Sequence, residues 1–547
     1  MKHILYTFLF GLAVFLFFGL AYPHHLHYQE QYQLFLFDNT YVWEIVRQPG
    51  GIADLLGRFC TQFFLFAWVG ALIIAVLLSA VQLLTLRLLN GQWSMVNGQQ
   101  STVNGQRFYG LTFVPSFLLW LFLLDENALL SGVWAVLLTL LAVWAIIKLP
   151  GKWTRCILLI AAIPILYYLV GPVCFPIPID SLWHGIHYHR YPTLFPWLLW
   201  AAALSALVII LLGRLGWEIG GLVVWSFRKV TNGGGNIPKR PNDQTTKRCQ
   251  RTTDSTDYSD EESVKSVQSA VKTKRPNDQT TKRPNDQTTK RPNDQSRRSI
   301  VTVCSFLLVA AGMGYLVWKN SNFKAEKVMK YDFMACHQQW NRILETINTE
   351  KPNNQIGVTV QNLALAMRGM LLDHLFDYNQ NGIAGLLPDV KTDATSPLPT
   401  AEAFYQLGMI NVAQRTVFEA QEAILDFQKS ARCYKRLAQT NLINGNYAVA
   451  RKYLAALQKT LFYREWANET LQLLGNEEAI AQHPEYGHLR QWAYKEDFYF
   501  SDHVTPEMLE SLYTSNGDNS LAYQYLLAYY LLTGDRESFN HFISNKQ

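Results

Sequence analysis

Ionisable side chains are absent from seven long stretches of the chain, residues 4–22, 60–82, 108–124, 128–147, 156–175, 195–213 and 300–318. At 1.5 Å per residue, stretches of this length reach about 26–35 Å as helices, which is the hydrocarbon thickness of a bilayer. The pattern therefore predicts about seven membrane spans. After residue 319 the texture changes to amphipathic segments joined by short Gly, Asn and Pro loops, with no sustained alternation of apolar and polar positions. The expected fold class is all-α: a polytopic bundle followed by a water-soluble helical domain.

Charge fixes the expected orientation. Arg87 and Arg107, then Lys148, Lys152 and Arg155, then Arg214, Arg228 and Lys229 lie in alternate connections, while Asp125 and Glu126 lie in one between them. The positive-inside rule then puts the N-terminus in the cytoplasm and everything after Trp318 outside it. Residues 217–227 (WEIGGLVVWSF) are too few to cross and are expected on the cytoplasmic interface. The expected domains are a six-span bundle (1–227), a basic cytoplasmic linker (228–299), a seventh span (300–318) and an extracytoplasmic domain (319–547).

Two tracts of near-identical copies interrupt this order. NGQ recurs between residues 90 and 106, and KRPNDQTT stands at 239–246 and again in tandem from Lys274. Repeats with a proline in each copy and no apolar face build no core, so the second tract reads as a disordered tether. The formal net charge of +6 lies largely in loops and this linker, and no nucleic-acid motif accompanies it. Nucleic acid is not an expected partner.

In the tail, Tyr434, Leu437, Ala438 and Asn441, the turn Gly445-Asn446-Tyr447, and then Ala450, Leu454 and Leu457 have the spacing of a tetratricopeptide (TPR) helix pair. Tyr523, Leu526, Leu527, Tyr530, Gly534 and Phe539 repeat the scheme, and Phe404, Leu407, Gly408, Asn411, Ala413 and Phe418 give a shortened copy. EQYQLFLF (30–37), PGG (49–51), TQFF (61–64), YQLGMINVAQRTVFEA (405–420) and LQKTLFYREWA (457–467) together resemble a bacterial family of uncharacterised multi-spanning membrane proteins with helical-repeat tails. The resemblance covers both ordered blocks but not the repeat tracts. It implies a cell-envelope protein of the bacterial cytoplasmic membrane and brings no catalytic residues.

Candidate chemistry is sparse. The seven cysteines have no zinc-like spacing, and Cys336 and Cys433 in the tail are compatible with either a disulfide or two buried thiols. His24 and His27 in the first outer loop, and His184, His187 and His189 in a later one, face the same compartment, and such residues could bind a divalent metal. Glu30 and Asp38 would be the catalytic carboxylates if the chain, with its long first outer loop, were similar to C-type-fold glycosyltransferases that use polyprenyl-linked sugars. The leading expectation is non-enzymatic and needs no cofactor: the bilayer carries a helical-repeat domain that binds an envelope protein or peptide.

Overall fold

The computed structural model describes residues 2–91, 109–171, 188, 197–211, 293–388, 397–424, 428–494 and 506–544. Among these residues the secondary structure is helical throughout, with no strand beyond an isolated bridge between Asn381 and Ile383. Met1–Arg214 and Val301–Gln547 form one compact unit and Leu215–Ile300 a second. The NGQ tract beyond Gly91, residues 217–227 and the KRPNDQTT array up to Pro292 lie outside the described residues. From Asn293 the last copy of the array, expected as part of a disordered tether, instead begins a helix.

The first unit opens with α1 (Lys2–Leu16), which tightens into a π-helical turn over Phe17–Ala21. The segment that follows comprises α2 (Pro23–Gln31), an extended stretch, α3 (Asn39–Val46) and α4 (Gly51–Thr61). Then come α5 (Ala67–Gly91), α6 (Val114–Phe122), α7 (Leu130–Ile147), α8 (Lys152–Val170) and α9 (Trp197–Leu211). Phe10, Val14 and Phe18 of the first helix pack with Ala71, Ile74, Ala75 and Leu78 of α5, while Ile4, Phe8, Leu72 and Val76 remain exposed on the same two helices. Buried polar groups in this core pair with one another: Thr7 donates to Gln82 Oε1 at 2.8 Å and Gln82 Nε2 to Thr112 Oγ1 at 3.1 Å.

Four helices among the described residues are long and apolar enough to cross a membrane: Ile4–Ala21, Ala67–Leu89, Leu130–Ile147 and Trp153–Val170. This is fewer than the seven expected. Residues 108–124 become a short 3-10 turn and α6, whose apolar helix Gly110–Phe122 is too short, as is Trp197–Leu211. Residues 300–318 lie within α10 (Asn293–Asn320), a 28-residue helix. The stretch 60–82 is displaced to Ala67–Leu89. Its first residues instead end α4 and form the turn Gln62–Leu65, where Phe63 stacks edge-on against Phe462 of the tail at 5.6 Å. An apolar run signals burial without saying whether lipid or protein does the burying.

The tail is a succession of short helices, beginning with α11 (Phe323–Cys336), α12 (Trp340–Glu350), α13 (Gln355–Met367) and α14 (Leu371–His374). Three adjacent pairs follow: α15 (Pro397–Leu407) with α16 (Ile410–Glu422), α17 (Ala431–Ile443) with α18 (Tyr447–Leu457), and α19 (Arg464–Leu473) with α20 (Glu477–Gln482). The chain ends in α21 (Tyr486–Trp492), α22 (Pro506–Ser515), α23 (Ser520–Thr533) and α24 (Arg536–Ser544). Asn or Ser side chains cap many of the starts, as Ser430 does by accepting from Cys433 N at 3.1 Å. Cys433 and Cys336 are both free thiols.

Between α17 and α18 the chain reverses at Gly445, whose φ is +76°. A Cβ there would meet nothing closer than Arg490 Nη2 at 3.7 Å, so the requirement for glycine is conformational and not steric. Gly445→Val should therefore lower stability by roughly 1 kcal/mol or more, read as a lower melting temperature of the full-length protein in detergent. An unchanged midpoint would contradict the assigned turn.

Candidate functional site

The segment between the first helix and α5 meets the tail along a continuous seam. It starts at the N-terminus of α2, where Pro23 occupies the first turn and the free amides need an acceptor. Glu326, on the first turn of α11, provides it: Oε1 accepts from His24 N at 2.8 Å and Oε2 from His25 N at 2.9 Å. A carboxylate at this position also complements the helix dipole. Burial nevertheless pushes Glu326 up to about 7, against the lowering effect of the two amides.

Along α2, Tyr28 and Tyr32 pack into a cluster with Leu398, Ala401, Val417, Ala420, Ile424, Cys433 and Leu437. Gln31 Oε1 accepts from Arg432 Nη1 at 3.2 Å. Arg432 is itself held by Asp332, at 2.6 and 2.8 Å in a two-pronged pair, and by Glu402 at 3.2 Å. Arg436 supplies the second cation, 2.6 Å from Glu402 and stacked over the Tyr405 ring at 3.6 Å. Two arginines thus face two carboxylates in a buried and formally neutral cluster. The arginines hold Glu402 below its ordinary range although burial pulls the other way.

After α2 the backbone extends. Leu34 N donates to the Lys429 carbonyl at 2.9 Å and Phe37 N to the Lys459 carbonyl at 2.6 Å. The alternation of an extended chain sends Leu34 and Leu36 to one side, into a cluster with Ala431, Ala438, Leu454, Leu457 and Ala467. Phe35 points elsewhere, to Phe37, Tyr41 and Phe59. Burying each of the two leucines contributes about 1.5–3 kcal/mol. Alanines on α17 and α19 leave the room that these leucines fill.

The candidate carboxylates are both engaged in this seam. Glu30 is buried and accepts from the Tyr463 hydroxyl at 2.8 Å. Burial pushes its carboxyl up to about 7 despite that hydrogen bond. Asp38 is the N-cap of α3, accepting from Thr40 N at 3.0 Å, and pairs with Lys459, whose hydrogen bond is the main cause of its lowered pKa. Neither is among the lining residues of three hollows in the structure: a pocket of about 570 Å³ beside α3, one of about 700 Å³ around Asn411, Asn444 and Arg490, and an apolar groove of about 560 Å³ between the first helix and α5.

His24 and His27 flank Phe333, with ring centroids 5.3 and 4.3 Å from it, His27 stacked, and His337 lies tilted against the same ring at 4.2 Å. Burial lowers His24 to about 3 and His27 to about 4, so both are neutral packing groups near neutral pH. Among the described residues no group of three or more His, Cys, Asp or Glu side chains has the arrangement of a metal site. His184, His187 and His189 lie outside the described residues. Sequence reasoning missed Glu326, Asp332, Glu402, Arg432 and Tyr463, since no spacing links residues that meet from opposite ends of the chain.

The Glu30 proton gives the seam a defined pH dependence. A carboxyl raised from 4.5 to about 7 favours the docked state fully below pH 4.5 and loses that contribution as pH rises to 7. The lowered histidines act in the opposite sense, so the variant difference is the useful quantity. Relative to wild type, Glu30→Gln should gain stability between about pH 5 and 7, by up to roughly 3 kcal/mol. Melting midpoints of both proteins across that range check it, and a pH-independent difference would refute the buried proton.

No curated protein and no solved structure matches the chain. A sequence model of a family of unknown function (DUF6057) matches residues 1–231 and 264–547. The match runs through the NGQ tract and the tandem KRPNDQTT array and skips only a stretch of the linker. It includes every residue of the seam, and the chain belongs to this family of unknown function, DUF6057.

Proposed function

We propose that the protein is a multi-spanning protein of the bacterial cytoplasmic membrane that carries a tetratricopeptide-like, peptide-binding domain on its outer side. The segment 30–38 of its own first outer loop is then the ligand resident on that domain. The observation that carries this reading is the extended stretch itself, with two backbone amides bonded to tail carbonyls and alternate leucines seated among alanines of α17 and α19. Extended peptides are bound in this way, with main-chain bonds for affinity and side-chain pockets for selection.

Two further features support it. The first helices of three successive pairs start at Pro397, Ala431 and Arg464, a spacing of 34 and then 33 residues, which is the tetratricopeptide period. Large apolar side chains such as Ile4, Phe8, Ile157, Ile160 and Leu308 are exposed on long helices, as lipid-facing positions are. In this reading residues 300–318 cross the bilayer outward from the basic linker, and the shorter apolar helices complete the bundle. The glycosyltransferase reading gains no support, because Glu30 and Asp38 are committed to Tyr463 and Lys459.

Clearing the face tests the binding function. Full-length protein carrying Leu34→Asp and Leu36→Asp should bind a fluorescent peptide of residues 30–38 with a micromolar Kd. Wild type, whose face is occupied, should bind it at least about tenfold more weakly. A cleared variant with normal helicity that binds no peptide would remove the proposal. A reporter active only in the cytoplasm, fused after Gln547, should be silent, and activity there would reverse the orientation.

A further inference from the structure

The pocket beside α3 begins next to the seam, at Asn39 and Thr40, and has its own chemistry. It is an open hollow of about 570 Å³ along one face of α3, inside the range of about 300–1,000 Å³ common to small-ligand sites, and is lined by Asn39, Thr40, Val42, Trp43, Glu44 and Arg47. Its level in the molecule is fixed by the chain that follows α3. Gly50 N donates to the Tyr168 carbonyl at 2.9 Å, in the last turn of α8, one of the helices long and apolar enough to span. The pocket therefore sits at the outer end of the bundle. Phe37, Trp43, Phe59, Phe66 and Trp68 are all exposed in this region, the aromatic enrichment typical of a membrane–water interface.

We propose that this pocket holds the phosphoethanolamine head group of an outer-leaflet phospholipid, an inference that rests on the membrane reading above. The lining presents one cation and one anion, Arg47 and Glu44, three residues apart on one helix and so on one face. Among the described residues the Glu44 carboxylate and the Arg47 guanidinium take part in no ion pair or hydrogen bond, and Arg47 rests over the Trp43 ring at 5.5 Å. A guanidinium matches a phosphate diester in charge and in donor geometry. A carboxylate beside an indole matches a primary ammonium, which it receives by hydrogen bond and the ring receives by its negative face. The head group with these two charges in the right order is phosphoethanolamine. A phosphatidylglycerol leaves Glu44 facing a neutral diol, and the quaternary ammonium of phosphatidylcholine has no proton to donate.

Native mass spectrometry of the full-length protein, released from detergent with equimolar phosphatidylethanolamine, phosphatidylglycerol and phosphatidylcholine, tests the site. Phosphatidylethanolamine should be retained about tenfold more than either competitor, the scale expected for one charged hydrogen bond. Arg47→Ala should lower its retention about tenfold, and Glu44→Gln should erase the preference over phosphatidylglycerol. Both side chains are exposed, so both variants should keep the wild-type melting temperature; if one does not, the other carries the test. Equal retention of the three lipids, preference for phosphatidylglycerol, or variants that retain lipid as wild type does would overturn the site. So would soluble phosphoethanolamine displacing the lipid at equal concentration. A protein that needs detergent but shows no lipid preference refutes only this inference, whereas one soluble without detergent refutes the membrane reading.

Discussion

Arg432 is the residue on which the seam between the tail and the segment after the first helix closes. Its guanidinium joins Asp332 of α11, Glu402 of α15 and Gln31 of α2, all at a position with almost no solvent. A buried ion pair is a poor source of net stability, because desolvation cancels most of the attraction. Removing one partner is another matter, since an unpaired buried charge costs about 3–5 kcal/mol. The cluster therefore acts as a constraint on arrangement. Only the register that brings two arginines against two carboxylates, with Gln31 beside them, leaves no bare charge.

The apolar contacts on either side depend on that register. Tyr28 and Tyr32 lie to one side of Gln31, and Leu34 and Leu36 to the other, each pair in its own cluster with the tail. A shift of one residue in the extended stretch would turn Leu34 and Leu36 away from the alanines of α17 and α19 and bring Phe35 toward them. Placing a phenyl ring where the packed leucines sit would overpack that face, which costs about 1–3 kcal/mol. Hydrogen bonds from Leu34 and Phe37 to tail carbonyls then pin the extended backbone, and at buried Leu34 the bond satisfies an amide that would otherwise be unpaired.

In the proposed peptide-binding reading, this arrangement bears on how the domain works. A helical-repeat face that was open to solvent would bind a partner directly, whereas an occupied one binds only what displaces the occupant, and the apparent affinity falls by the fraction of time the face is free. Glu30 and Glu326 make that fraction sensitive to protons, since both are carboxyls raised by burial at the two ends of α2. Docking of the loop is thereby linked to pH between 4.5 and about 7, with the histidines around Phe333 opposing the trend.

What the sequence by itself determined was local. The all-helical class, the apolar character of α5, α7 and α8, the turn at Gly445 and the pairing of α17 with α18 all follow from periodicity, from the absence of charge, and from the freedom of glycine to take a positive φ. The start of α5 was not legible, because Thr61–Phe66 is as apolar as a span and yet packs on Phe462. Nor were the roles of Glu30 and Asp38, which look like free outer-loop carboxylates until Tyr463 and Lys459 arrive from more than four hundred residues away. Only the tertiary structure decided those partners. Periodicity reports which face of a segment is buried, but the identity of what buries it depends on contacts between distant parts of the chain, and single-sequence spacing holds no record of them.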